Sequence, residues 1–335
     1  MAVLVAGGAG YIGSHTSIEL LNSGYEVIIV DNLCNSNKSV IDKIEKLSGK
    51  KVRFYELDIC QREKLEVVFK ENKIDSIIHF AALKAVGESV EKPMEYYSNN
   101  LISTLSLFEL MKKYNIKKFV FSSSATVYGD PHTCPILEDF PLSTTNPYGR
   151  TKLMIEDMLR DICKADKTLD VAILRYFNPV GAHKSGEIGE LPNGIPNNLM
   201  PYITKVAIGE LEELSVFGDD YPTHDGTGVR DYIHVLDLAD GHVKALKKLE
   251  ENPGLVTYNL GTGKGYSVLD LVKAFSKASK KEVPYKIVGR RPGDVAMCFA
   301  DSSKAERELG WKAKYKIDEM CEDSWRWQNT HSKKI

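Results

Sequence analysis

Three glycines spaced Gly7-x-x-Gly10-x-x-Gly13 follow the apolar run Val3-Leu4-Val5 directly and open a helix-like stretch. Few folds accommodate that junction. One glycine can supply a tight turn, another lets the backbone approach a pyrophosphate, and a third lets the helix pack on the strand, while the helix N-terminus attracts phosphate. A second set, Gly261-x-Gly263-x-Gly265, lacks the spacing and lies outside the first βαβ unit, so it reads as an ordinary loop. Around the first set, short apolar runs recur at VLVAG, YEVIIVD, VRFYELD, IDSIIHFAA, KKFVFSSS and DVAILRYF, separated by turns or helix-like segments. This alternation predicts a parallel sheet, and segments such as Ser14 to Ser23 and Pro93 to Tyr114 are long enough for the crossover helices it needs. The expected class is α/β, a Rossmann-type doubly wound parallel sheet with a smaller mixed C-terminal lobe.

A chain of 335 residues suits about two domains. The rhythm breaks after about Tyr176 into NPVGAHKSGEIGELPNGIPNN, so residues 1–176 form the expected nucleotide domain and 177–335 the substrate lobe. A helix-like stretch from His234 to Leu249 and the strand-like YNLG predict that residues 231–260 return to the first domain. With 43% hydrophobic and 27% charged residues the chain can fold without disulfides or metals. The net charge of -2 and short basic pairs such as Lys117-Lys118 exclude the footprint of a nucleic-acid binder. Six scattered cysteines form no C-x-x-C pair, and the eight histidines show no H-E-x-x-H spacing. His79 in its apolar strand reads as a core residue, and no metal is expected. No charged n-region precedes MAVLVAGG and no apolar run reaches the ~18 residues of a membrane span, so the expected location is cytoplasmic.

Asp31 ends YEVIIVD, about where a carboxylate would bond both ribose hydroxyls of adenosine. Its charge would repel a 2′-phosphate and neighbouring Asn32 offers no cation, so the cofactor expected is NAD rather than NADP. Asp58, at the end of VRFYELD, stands either at the adenine edge or as a turn or helix cap before Gln61.

Tyr148 and Lys152 lie four apart in NPYGRTK and share one side of a helix if Pro147 opens it. Tyr114 and Lys118 repeat the pattern on the approach to a strand, an accidental match. Tyr148 follows a strand ending in Ser122-Ser123-Ser124, and strand ends of an open α/β sheet face its ligand crevice. A phenol with a solution pKa of ~10 is a poor base near neutrality, so Lys152 and a positive nicotinamide would have to favour the phenolate. Ser124 would share the proton or hold the reacting oxygen; the alternative is a strand-end hydroxyl satisfying the backbone.

Read in order, GGAGYIGSH, HFAALKAVGES, SSSATVYGD, NPYGRTK, LRYFNPVGAH, GTGVRDYIHV and RRPGD make the chain resemble the extended short-chain dehydrogenase/reductase superfamily and, within it, the UDP-galactose (UDP-glucose) 4-epimerase family. The resemblance covers nearly the whole length. It implies tightly held NAD contacted by Tyr11, Ile12, Asp31, Asn32, Asp58, Ile59, Phe80, Ala81, Lys84, Asn99, Tyr148, Lys152 and Phe177. It assigns Asn178, Asn198, Arg230, Arg291 and Asp294 to the UDP-sugar, where arginine forks suit two phosphates. Tyr148 would take the proton of the sugar 4-hydroxyl while C4 gives hydride to NAD. The 4-keto sugar would then turn over and take the hydride back on its other face.

Members restricted to glucose and galactose carry a tyrosine where this chain has Cys298, so the small side chain implies that UDP-GlcNAc and UDP-GalNAc are also accepted. The resemblance further implies a homodimer through helices near 93 to 115 and 146 to 163, although their apolar residues would also suit packing inside one chain. A sugar-nucleotide 4,6-dehydratase would share fold, NAD and the Tyr-Lys pair. Such enzymes carry an Asp-Glu pair ahead of V-Y-G, where this chain has Ala125-Thr126. A dehydrogenase with exchanging NADH would show net cofactor turnover, and a non-catalytic NAD-sensing scaffold would not need Ser124, Tyr148 and Lys152.

Overall fold

In the computed structural model, which describes residues 1–191, 196, 198–291 and 293–332, both faces of β1 (Ala2–Ala6) are buried. Val3 and Val5 join one hydrophobic layer while Ala2, Leu4 and Ala6 join the other. In β2 (Glu26–Asp31), Val27 and Ile29 again face the first layer and Ile28 and Val30 the second. A strand covered on both sides must be apolar throughout, which is why these runs do not alternate with polar residues. Each valine, leucine or isoleucine side chain so removed from water stabilises the fold by roughly 1.5–3 kcal/mol before entropy is counted.

Among the described residues, β1, β2, β3 (Arg53–Glu56), β4 (Ser76–His79), β5 (Lys118–Ser124) and β6 (Asp170–Tyr176) form one sheet, completed by β10 (Leu255–Leu260). The order is β10-β6-β5-β4-β1-β2-β3 and each pairing is parallel. Helices α1 (Tyr11–Asn22), α2 (Ser39–Ser48) and α8 (Val235–Lys248) contribute Ile18, Ile44 and Leu246 to one layer. Helices α3 (Arg62–Glu71), α5 (Pro93–Lys113) and α6 (Pro147–Ala165) contribute Val68, Leu107 and Leu159 to the other. The short α4 (Val86–Glu91) precedes α5. Strand order reverses between β1 and β4, and ligands of open α/β sheets bind outside the carboxyl ends at such a switch point.

The second lobe contains β7 (Asn178–Val180), β9 (Val229–His234), β11 (Gly265–Ser267) and β13 (Met297–Cys298) in a mixed sheet. β9 runs parallel to β7 and β13 and antiparallel to β11. β8 (Leu214–Phe217) pairs with β12 (Tyr285–Val288). Helices α7 (Leu199–Ala207), α9 (Val268–Ser279) and α11 (Ile317–Ser332) supply Ile203, Phe275 and Met320 to its core, while α10 (Ser303–Leu309) sits beside β10. The return to the large sheet begins at Val235, because Asp231–His234 end β9 in the smaller sheet, whereas α8 packs on α1 and β10 pairs with β6.

All six cysteines are free thiols, and no described helix is long and apolar enough to cross a membrane. Residues 192–195 and 197 of the irregular stretch after Tyr176, and residue 292 of RRPGD, lie outside the described residues.

Candidate active site

A cleft of about 590 Å³ opens over the carboxyl ends of the sheet. Its floor is the glycine turn. Gly7 has φ +80°, and a Cβ there would meet Ala81 N at 2.7 Å; a Cβ on Gly13 would meet Gly7 O at 2.2 Å. Gly10 is different: its Cβ would find only Gly7 O, at 3.3 Å, and otherwise project into the cleft. No side chain caps the N-terminus of α1, so its first-turn amides and positive dipole end open toward the same space. That cradle fits the diphosphate of a dinucleotide, held at the backbone-only approach that glycines permit.

Gly7, Gly10, Tyr11, Ile12, Gly13, Asp31, Asn32, Asp58, Ile59, Phe80, Ala81, Lys84, Asn99 and Phe177 all line this cleft. Asp31, buried at the end of β2, accepts from Ala9 N at 3.0 Å, Leu33 N at 2.9 Å and Ser36 Oγ at 2.9 Å, which fixes it against the glycine turn. Asp58 accepts from Cys60 N at 2.9 Å, so it closes a turn as well as facing the cleft. Lys84 follows β4 and pairs with Glu190 at 3.2 Å.

The side chains expected to move the proton converge at the other end. Asn146 accepts from Gly149 N at 2.8 Å and Pro147 takes the first helical position, so α6 starts where the sequence placed it. Tyr148 and Lys152 thereby share one face, with Lys152 Nζ 5.9 Å from the centre of the Tyr148 ring. Ser124 ends β5 opposite Tyr176 of β6, accepts from Thr126 N at 3.3 Å, and its hydroxyl favours the charged form of the Tyr148 phenol. Lys152 is 3% exposed and donates to Ser122 O at 2.7 Å. Burial brings its ammonium down to about 7, opposed by the charge of Glu156. Protein groups alone move Tyr148 the opposite way from the sequence expectation. Burial pushes its phenol up to about 12, and only the Ser124 hydroxyl pulls it back.

Asn178, on β7, and Asn198, at the start of α7, also line the cleft. The other four expected substrate residues do not. Arg230, Arg291, Asp294 and Cys298 gather in a separate group on β9, β13 and the loop before β13. Asp294 bridges Arg291 at 2.9 Å and Arg230 at 3.8 Å, and Arg230 also donates to Val295 O at 2.8 Å. Two guanidiniums need an anion, and here that carboxylate supplies it. A Cβ on Gly293 would lie 3.9 Å from Thr145 Oγ1, so this loop abuts the segment leading into α6 and Tyr148. Cys298 pairs with Arg230 across the strands and packs, half-buried, on the cluster containing Ala125, Leu153 and Phe177.

Sequence reasoning missed Glu190, whose Oε1 accepts from both Lys84 and Asn198 Nδ2, the latter at 2.7 Å. It sits on irregular backbone, where no periodicity marks a half-buried carboxylate. Away from the cleft, His224, Asp225 and Asp270 hold ligand-type atoms within 4.8 Å of one another. Their carboxylates already serve Thr227, Ser267 and the start of α9.

A family model described as GDP-mannose 4,6 dehydratase matches residues 4–324. The UDP-glucose 4-epimerase of Bacillus subtilis (strain 168) is 64% identical over 331 residues, covering 99% of this chain and 98% of the relative. Among solved structures, the UDP-glucose 4-epimerase of Bifidobacterium longum in complex with NAD+ and UDP superposes with a TM-score of 0.97 at 57% identity, covering 100% of both chains. That of Stenotrophomonas maltophila, with bound NAD and formylated UDP-arabinopyranose, gives a TM-score of 0.98 at 51% identity, again over 100% of both. With the glycine turn, the Ser124, Tyr148 and Lys152 set and this full-length likeness taken together, the chain belongs to the UDP-glucose 4-epimerase family.

Proposed function

We propose that this chain binds NAD in the cleft and reversibly inverts C4 of UDP-galactose and UDP-glucose through a 4-keto intermediate. One observation carries the reading: Ser124, Tyr148 and Lys152 meet at the end of a cleft whose floor is a glycine-lined diphosphate cradle. Bound NAD supplies the acceptor and donor of hydride at C4 and, when oxidised, a positive charge. The protein's own groups do the rest. The turn from Gly7 to Gly13 and the start of α1 hold the diphosphate, Asp31 and Asn32 select the unphosphorylated ribose, and Asp58, Ile59, Phe80, Ala81, Lys84, Asn99 and Phe177 line the remaining walls. Tyr148 Oη takes the proton of the 4-hydroxyl and returns it, Ser124 shares it, and Lys152 provides the neighbouring cation that a buried phenolate requires.

Asn178 and Asn198 inside the cleft, together with Arg230, Arg291 and Asp294 of the separate group whose loop abuts the segment leading into α6, would hold the UDP portion. On this reading residues 1–176 with the returning segment form the NAD domain, and 177–335 otherwise form the UDP-sugar lobe. A dehydratase would need an acid beside Ser124 to expel the 6-hydroxyl. Ala125 and Thr126 occupy the short turn there, which favours the epimerase over the family model's description. Purified protein incubated with UDP-galactose and no added NAD should produce UDP-glucose in proton NMR spectra; no conversion would overturn the reading.

The small Cys298 side chain supports acceptance of the 2-acetamido sugars UDP-GlcNAc and UDP-GalNAc as well. Exposed Val90, Met94, Ile102, Leu105 and Met154 on α4, α5 and α6 support a homodimer. We place the protein in the cytoplasm, in keeping with its free thiols.

A further inference from the structure

One turn beyond Lys152 on the buried face of α6 lies Glu156, which is fully buried. Four donors reach its carboxylate. Ser123 Oγ at 2.6 Å and Arg175 Nε at 2.9 Å bond Oε1, while Arg175 Nη2 and Arg160 Nη2, each at 2.6 Å, bond Oε2. Arg175 is 2% exposed, and its remaining nitrogen donates to Tyr128 Oη and to the Glu138 carbonyl, both at 2.9 Å. Tyr128 Oη in turn donates to Asn259 Oδ1 at 2.6 Å. The network therefore ties α6 to β5, β6 and β10. Ser123 adjoins Ser124, and Arg175 lies two residues before Phe177, so both strand ends that line the cleft are anchored on this carboxylate.

Stability alone does not account for such an arrangement, because well-packed apolar residues often replace a buried ion pair without loss. The neighbour of Glu156 does. Lys152 is deeply buried, and burial disfavours its charged form. The charged and titratable groups beside it are Tyr148 and Glu156 on α6 and His79 on β4, while Arg160 on α6 and Arg175 on β6 are bound to the far side of the network through Glu156. His79 stays neutral, lowered by burial to about 3. Glu156 is the carboxylate that acts on the Lys152 ammonium.

We propose that Glu156 is a positioning residue for proton transfer: its negative charge holds Lys152 as an ammonium beside Tyr148, and its hydrogen bonds fix the strand ends that carry Ser124 and Phe177. The inference rests on the epimerase reading above. The required form of Lys152 is the cation, which is lost as pH rises, so removing the carboxylate's charge moves that loss to lower pH.

The test is the pH profile of kcat with UDP-galactose for the NAD-containing parent, Glu156→Gln, Glu156→Asp, Arg175→Gln and the double variant Glu156→Gln/Arg175→Gln. In Glu156→Gln the alkaline limb should move down by about one pH unit, the lower end of the effect of an opposite charge within a helical turn. KM should change little, and Glu156→Asp should keep the parent's limb. The double variant removes an anion and a cation together, so its limb should return toward the parent's. Should Glu156→Gln fail to fold with Arg175 unpaired, comparing the double variant with Arg175→Gln isolates the same charge, and the limb must lie lower in the double variant. A second readout is tyrosinate absorbance titrated against each protein's Tyr148→Phe counterpart, where loss of the Glu156 charge should move phenolate formation to higher pH. Uniformly lower kcat with unmoved limbs and an unmoved tyrosinate titration would reduce Glu156 to a structural role and overturn the proposal. A parent inactive toward UDP-galactose would instead overturn the epimerase reading, and the tyrosinate titration would still decide the electrostatic one.

Discussion

Adding one carbon at Gly13 or at Gly10 should have opposite consequences, although the two glycines stand three residues apart in one turn. In Gly13→Ala the new methyl would lie 2.2 Å from Gly7 O, 2.8 Å from Gly8 Cα and 3.0 Å from Gly7 C. All three are backbone atoms, so no rotamer change relieves the contact. Alanine gains about 1 kcal/mol over glycine inside a helix, while overpacking typically costs about 1–3 kcal/mol and this contact belongs at the upper end. The net loss, about 1–2 kcal/mol, corresponds to a fall in Tm of about 2–8 °C.

In Gly10→Ala the backbone at φ -70°, ψ 174° suits any residue, and the only contact within 4 Å is Gly7 O at 3.3 Å. Replacing glycine with alanine at the cap costs about 0.5 kcal/mol, so cofactor-free protein should melt within about 2 °C of the parent. The methyl does fill the diphosphate cradle. Saturating NAD at a hundred times its Kd should stabilise the parent by about 2.7 kcal/mol, and Gly10→Ala should lose that increment. Scanning calorimetry with and without NAD measures both effects. A Gly13→Ala protein with the parent's Tm, or a Gly10→Ala protein with the parent's NAD-dependent rise, would refute the steric reasoning.

Tyr148→Phe should leave the fold and NAD content intact while kcat falls by about 10²–10⁴, the range for a lost acid-base group; near-parental turnover in a folded variant removes Tyr148 from the role. NAD should copurify, and sugar interconversion should release no free NADH, so sustained NADH release at the rate of turnover would mark a dehydrogenase. Cys298→Tyr should selectively suppress turnover of UDP-GlcNAc and UDP-GalNAc, since filling a packed site costs about 1–3 kcal/mol; an unchanged ratio to UDP-galactose turnover, or no acetamido turnover by the parent, sinks that idea. The pair Ile102→Glu and Leu105→Glu, both on the exposed side of α5, should halve the mass seen by light scattering, whereas a parent that is already monomeric disproves the dimer.

The large sheet was legible because its physics is local. Runs such as Val27 to Val30 are apolar at every position since each face meets a helical layer, and Pro147 after Asn146 marks a helix start by backbone chemistry alone. That Tyr148, Lys152 and Ser124 share one cleft followed from strand end and helix start. What depended on distant packing was not readable. Asp231–His234 look like part of the returning segment but pair with β11 and β7. Arg291 and Arg230 were read as phosphate forks, and their mutual carboxylate, Asp294, was visible only once the loop was folded. Glu156 and Glu190 belong to no motif or spacing that separates them from surface acids along the chain, and only the fold shows that one is fully buried and the other bridges Lys84 to Asn198. Burial at Tyr148, which pushes its phenol up when protein groups alone surround it, is likewise set by distant packing.

The strand β10 enters the large sheet only after the chain has built β7 to β9 in the other lobe, and α8 covers α1 on the way. The two lobes are therefore stitched together and are not modules joined by a single link. A fragment ending at Tyr176 would expose the backbone edge of β6 and the apolar side of α1, a template for aggregation. Grafting a foreign substrate lobe at that point would fail for the same reason. On the reading proposed for Cys298, new specificities on this scaffold would arise by substitution in place rather than by exchange of whole segments.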